Sequence, residues 1–176
     1  VEQVRVLALS LFDQLGGVLG CDESERWILE AAALLHDVGQ MVSYRQHHKH
    51  SYQLIMHAER LNLSARDRTL VALVSRYHRK NGPRRKHAEF MALNEPDRQV
   101  VMRLSALLRV ADGLDRGHTS IVERVRTRLM DHRLSIRVQP RLTNADVSLE
   151  CWGAQRKADV LAELLDREVT VAPSTI

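Results

Sequence analysis

Apolar residues recur at helical spacing along the first two thirds of the chain. Val4, Leu7, Ala8, Leu11 and Leu15 form one stripe that stops at Gly16-Gly17, predicting a first helix. Asp22, with Glu25 three residues on, resembles a capping box. The helix it opens is expected to bury Trp27, Ile28, Ala31, Leu34, Leu35 and Val38 and to end at Gly39. A third helix runs through Leu54, Ile55, Ala58 and Leu61, and a fourth starts at Ser64 with Asp67 three residues later. The fourth carries Leu70, Leu73, Val74 and Tyr77. Asn94 and Pro96 open a fifth with Val100, Val101, Leu104, Leu107, Leu108 and Ala111; proline suits a first turn, where its missing N–H had no partner anyway.

Near residue 120 the period changes from helical to two. Val125, Thr127 and Leu129 alternate with arginines, and Leu134, Ile136 and Val138 alternate after the Asp131-His132 turn. Val147, Leu149 and Cys151 alternate once more, predicting a third half-buried strand. A last helix through Ala158, Leu161, Leu164 and Leu165 would cover one face, with Val169 and Val171 as an edge strand. The expected fold is mainly α: a helical domain over residues 1–120, then a small α+β domain over residues 121–176 with a short antiparallel sheet. Val1 falls inside a helical pattern, so the 176 residues read as a piece of a longer chain.

Composition narrows the class. At 44% hydrophobic and 27% charged the chain is globular, and no apolar run approaches the ~20 residues of a membrane span. Two cysteines, Cys21 and Cys151, are too few for a disulfide scaffold and point to the cytoplasm. The net charge of +4 is local in origin. Between Arg76 and His87 lie Arg76, Arg79, Lys80, Arg84, Arg85 and Lys86 with no acid; removing these six from the chain's 26 Lys/Arg leaves 20 against 22 Asp/Glu. Such a block is either a solvated loop or an anion site. Aromatics are only 4% of the chain, and stacking platforms for bases are correspondingly scarce, so phosphate is expected as the target rather than nucleic acid.

Seven of the nine histidines (36, 47, 48, 50, 57, 78 and 87) fall between residues 36 and 87. His36-Asp37 ends the run Ala-Ala-Ala-Leu-Leu-His-Asp-Val-Gly, and adjacent helical residues project about 100° apart, close enough to share one ion. Imidazole beside carboxylate suits Mn²⁺, Fe²⁺, Co²⁺ or Ni²⁺, with Mg²⁺ if oxygen ligands dominate. Asp112 closes another strongly apolar helix, where a carboxylate is costly to bury unless paired or metal-bound.

A His-Asp pair followed 75 residues later by an apolar-helix Asp resembles the HD superfamily of metal-dependent phosphohydrolases. The resemblance implies an all-helical domain with His36, Asp37 and Asp112 as three of four ligands to one metal. In two-metal members further histidines lie between these points, and His50 and His78 stand where they would be expected. The family's first ligand is a His on the preceding helix, and no His precedes His36 here. His-Asp-Val-Gly, His47-His-Lys-His-Ser-Tyr-Gln-Leu-Ile55, Arg76-Tyr-His-Arg-Lys80 and Ala111-Asp-Gly-Leu-Asp-Arg116 occur in that order. Together they resemble the C-terminal half of the exopolyphosphatase/guanosine pentaphosphate phosphohydrolase family. That resemblance implies N-terminal actin-like domains outside this sequence, a basic channel for polyphosphate and a homodimer.

Three functions are open on these grounds. As a phosphohydrolase, the metal at His36, Asp37 and Asp112 would polarise a phosphoryl oxygen and activate water, with Lys49, Arg79, Lys80 and Arg109 neutralising substrate charge. As a binding module, Arg76, Arg79, Lys80, Arg84, Arg85 and Lys86 would grip a polyanion while chemistry occurs elsewhere. As an oligomerisation module, Trp27, Trp152 and the apolar strand face would feed an interface.

Overall fold

The computed structural model describes residues 1–174. Helix α1 (Glu2–Leu19) is followed by a short 3₁₀ turn and α2 (Arg26–Leu35), then by a second 3₁₀ turn at Val38–Met41. Next come α3 (His47–Met56), α4 (Ala65–Arg76), the single turn α5 (Ala88–Met91) and the long α6 (Glu95–Gly113). Strands β1 (Val122–Leu129) and β2 (Arg133–Pro140) precede α7 (Ser148–Lys157), α8 (Asp159–Leu165) and β3 (Glu168–Pro173). The protein is mainly α with one small sheet.

Local chemistry explains most boundaries. The Ser64 hydroxyl accepts from the Asp67 N–H and the Asn94 side chain accepts from the Asp97 N–H, so α4 and α6 start where their caps predict. At the start of the second helical segment Asp22 caps the 3₁₀ turn through Ser24 N, and Glu25 does not close a box. Helix α1 runs past Gly16-Gly17 and stops at Gly20, whose φ of 71° reverses the chain without a side-chain clash. Helix α2 ends at Leu35, four residues before Gly39. Trp27 is 39% exposed and Leu34 44%, against the expectation that both are core. They lie seven residues apart on one outward stripe, while Ile28, Leu29, Ala32 and Ala33 face inward.

The sheet differs from expectation in two ways. Its order is β1-β2-β3, with β1 antiparallel to β2 but β3 parallel to it, so the sheet is mixed. The run Val147–Cys151 belongs to a helix, not a strand. Asp146 accepts from Ser148 N at 2.9 Å as the chain enters α7, and the buried positions Glu150, Cys151, Gly153 and Ala154 follow helical spacing. Both sheet edges are closed by glutamines. Gln14 of α1 exchanges hydrogen bonds with Val125 O and Thr127 N, and Gln155 of α7 does the same with Val169 O and Val171 N. These amides satisfy edge groups that would otherwise template aggregation. One hydrophobic cluster runs from Val4 of α1 through α2, α4 and α6 to Val169 of β3.

Two close approaches between backbones set where the polar side chains of the helix ends can meet. A Cβ on Gly39 would overlap His47 O and Ser51 N, so only glycine lets the turn after α2 sit against α3. A Cβ on Gly113 would meet the Ala154 backbone at 2.6 Å, and one on Gly153 would meet Gly113 O at 2.5 Å. Helices α6 and α7 therefore cross backbone to backbone.

Candidate metal centre and its basic groove

Four helices converge on one small cleft. The end of α2 supplies His36 and Asp37, the start of α3 His47, the end of α4 His78, and the last turn of α6 Asp112. Ser51 joins the first two parts: its hydroxyl donates to His36 O at 2.6 Å and accepts from Gly39 N at 2.9 Å. The His-Asp turn is thus fastened to α3 at the one place where Gly39 allows contact.

The imidazoles are oriented by the backbone. Nδ1 of His36 lies 2.7 Å from Ala33 O, Nδ1 of His78 lies 2.6 Å from Ser75 O, and Nδ1 of His47 lies 3.0 Å from Tyr44 O. A carbonyl only accepts, so His36 and His78 carry their proton on Nδ1 and turn an Nε2 lone pair inward. His47 Nε2 sits 3.0 Å from His78 Nε2 and 3.2 Å from Asp37 Oδ1, with His78 Nε2 3.6 Å from the same oxygen. Two imidazole nitrogens that close either share one proton or address one cation. Ligands in a right-angle arrangement at ~2.1 Å from a metal are about 3.0 Å apart, so the spacing fits two ligands of one ion. Asp37, His47 and His78 are the group whose ligand atoms lie within 4.8 Å of one another. Burial lowers the pKa of His36 and of His47 and holds His78 well below the ordinary value, so these rings are neutral, as ligands must be.

His36 and Asp112 form a second corner. His36 Nε2 is 3.6 Å from Asp37 Oδ2 and 3.7 Å from Asp112 Oδ1, too far for hydrogen bonds. The other Asp112 oxygen is paired with the ammonium of Lys157, the last residue of α7. Burial lowers the Lys157 pKa to about 8.

Among the sequence-predicted residues, the structure brings together His36, Asp37, His78 and Asp112. It places His47, and not His50, beside Asp37 and His78 in a group that could hold an ion. His47 and His50 are three residues apart on a helix with little apolar pattern, so spacing alone did not distinguish them; the ring that faces His78 does. Lys157 had no sequence signal, because a lysine at a helix end is ordinary.

The basic block divides. Arg76, Arg79 and Lys80 line a groove of about 410 Å³ together with Arg45 and Lys49 from the α3 side and with His48, Tyr77 and His87; no acid lines it. Arg45, Lys49, Arg79 and Lys80 have no carboxylate partner among the described residues, whereas Arg76 pairs with Glu89 at 3.0 Å. Buried in this wall, His48 Nδ1 and Tyr77 Oη make no hydrogen bond among the described residues. Burial and the charges of His47, Arg79, Lys49 and Arg76 push His48 down to about 4. Arg79 is the bridge, since it lines both groove and cleft and stacks over the Tyr44 ring at 5.3 Å.

The remaining cations go elsewhere. Arg84 and Arg85 line a separate groove with Glu95, Asp159 and Glu163, and Lys86 is exposed outside both. Lys49 reaches the basic groove but not the histidine cleft. Arg109 is 2% exposed and donates to Tyr77 O, Lys80 O and Asp159, so it fastens the end of α4 to α6 and α8 instead of facing substrate. Asp115 accepts from Ser120 N and holds the loop after α6. No helix among the described residues is long and apolar enough to cross a membrane.

The family Ppx/GppA phosphatase, domain III, matches residues 1–157, a span that opens with α1 and closes on Lys157, and therefore includes every residue of the cleft. By that match the chain belongs to the Ppx/GppA phosphatase family.

Proposed function

We propose that the chain is a divalent-metal phosphohydrolase module of the HD type, with Asp37, His47 and His78 as the primary ligands and His36 and Asp112 beside them. The observation that carries this reading is the 3.0 Å approach of His47 Nε2 to His78 Nε2 next to Asp37 Oδ1. Two nitrogens to one carboxylate oxygen favour Mn²⁺, Fe²⁺, Co²⁺ or Ni²⁺ over Mg²⁺, which prefers an all-oxygen shell. A bound ion would supply Lewis acidity toward a phosphoryl oxygen.

The chain's own residues do the rest. Arg79, free of any carboxylate among the described residues and shared by cleft and groove, steadies a phosphoryl group at the cleft while the neighbouring phosphates lie against Arg45, Lys49 and Lys80. Fixed positive charge of this kind offsets the charge of a phosphoryl group during transfer. A phosphorylated anion, polyphosphate among the candidates, is the expected ligand. Titration with Mn²⁺, Co²⁺, Ni²⁺ and Mg²⁺, combined with an assay of phosphate release from tripolyphosphate, tests the proposal. Saturable binding and ion-dependent release support it; no binding and no release with any of the four overturns it.

A second reading has its own support. The acid-free groove is complete without a metal, so the domain would serve as a polyanion-binding module for a longer enzyme, assembled as a homodimer. Metal-independent tripolyphosphate binding without turnover favours that reading.

A further inference from the structure

Lys157 is a feature of the cleft that a bare ligand set does not require. It arrives from α7, outside the helices that supply the ligands, and its side chain is only 18% exposed. Its ammonium sits on Asp112 Oδ2. We propose that Lys157 is a tethered cation that fills one of two cation positions in the cleft, so that the centre takes a single divalent ion at Asp37–His47–His78. The inference rests on the metal reading above.

Three observations support it. First, the carboxylates divide the cleft. Asp37 Oδ1 faces the two close imidazole nitrogens, whereas Asp112 faces His36 at 3.7 Å on one side and Lys157 on the other. Second, the lysine is anchored by its helix. Gly153 precedes it by one turn and lies against Gly113, the neighbour of Asp112, with backbone contacts that no larger residue permits. Arg109 of α6 pairs with Asp159 at 2.8 Å just beyond Lys157, which adds a second fastening between the same segments. Third, charge limits the number of ions. With the imidazoles neutral, two carboxylates and the ammonium sum to −1, so a single dication already turns the set positive, even before the Arg79 and Arg116 charges that line the cleft are counted. A second dication at Asp112 would face the ammonium at contact distance, and like charges in a poorly solvated cleft repel strongly.

The test is ion stoichiometry in the whole chain, measured by calorimetry with Mn²⁺ and by metal analysis after desalting. The wild type is expected to bind one ion per chain. Lys157→Met, which keeps the length of the stem, and Lys157→Ala are each expected to bind two, with the second ion lost again when Asp112→Asn is added. Lys157→Arg, which restores a cation, is expected to return to one. Circular dichroism confirms that each variant is folded, and the Met and Arg variants keep the test decisive if Ala is not. Two ions in the wild type, or one ion in a folded Lys157→Met, overturns the proposal while leaving the metal centre standing. No ion in the wild type would instead overturn the metal reading itself.

Discussion

The centre depends on individual ring orientations. A backbone carbonyl accepts at Nδ1 of His36 and of His78, so neither ring can turn without losing a buried hydrogen bond. Replacing His78 by Ala should weaken Mn²⁺ or Co²⁺ binding by more than the ~10–100-fold typical of losing a supporting partner, because it removes one of the proposed ligands itself. The same rings make the protein acid-sensitive. His36, His48 and His78 all have folded pKa values below the ordinary histidine value, His48 down to about 4, and burial is the first cause in each. The unfolded chain therefore binds more protons than the folded one below about pH 6.5, and stability should fall as pH drops through that point toward 4. Chemical denaturation from pH 7.5 to 4.5 checks this; a midpoint that rises on acidification would contradict the burial of neutral rings. Sequence patterning showed that the histidines cluster and that Asp112 sits oddly in an apolar helix. It did not show which of His47 and His50 turns inward, because that is decided by the packing of α3 against α4.

At the scale of elements, two glycine contacts do what no motif announces. Gly39 lets the turn carrying His36 and Asp37 touch α3, and Ser51 stitches it there. Gly39→Ala would push a methyl into backbone, where the neighbours cannot yield, and is expected to cost at least the ~1–3 kcal/mol of core overpacking together with metal affinity. Thermal melts and a Co²⁺ titration of the variant measure both; unchanged metal affinity would show that the turn is not what aligns Asp37 with His47. The helix starts at Ser64 and Asn94 and the strands β1 and β2 were readable because caps and alternation are local signals. Helix α7 was not. Val147, Leu149 and Cys151 mimic period two, and the small residues Gly153 and Ala154 that make its contact with α6 possible carry almost no hydrophobic signal. The parallel seating of β3 was equally hidden, since a short strand reads the same in either direction.

Over the whole molecule, charge is arranged as a path and not as a patch. The twelve-residue basic stretch separates, so that Arg76, Arg79 and Lys80 join Arg45 and Lys49 from an earlier segment, while Arg84 and Arg85 line a groove that also contains acids. Neutralising Arg45, Lys49 and Lys80 together should weaken tripolyphosphate binding at least about tenfold, near 1.4 kcal/mol, and flatten its salt dependence. Neutralising Arg84, Arg85 and Lys86 should do much less; equal losses would return the anion site to the whole basic block. Everything proposed for the cleft depends on whether Asp37, His47 and His78 hold a metal ion. A Co²⁺ titration followed by visible absorption decides this when it is run on the wild type, His47→Ala, His78→Ala and His50→Ala. A saturable spectrum is expected that His47→Ala and His78→Ala abolish and His50→Ala retains. A wild type without a saturable spectrum, or a spectrum lost with His50 and kept without His47, would refute the centre as assigned.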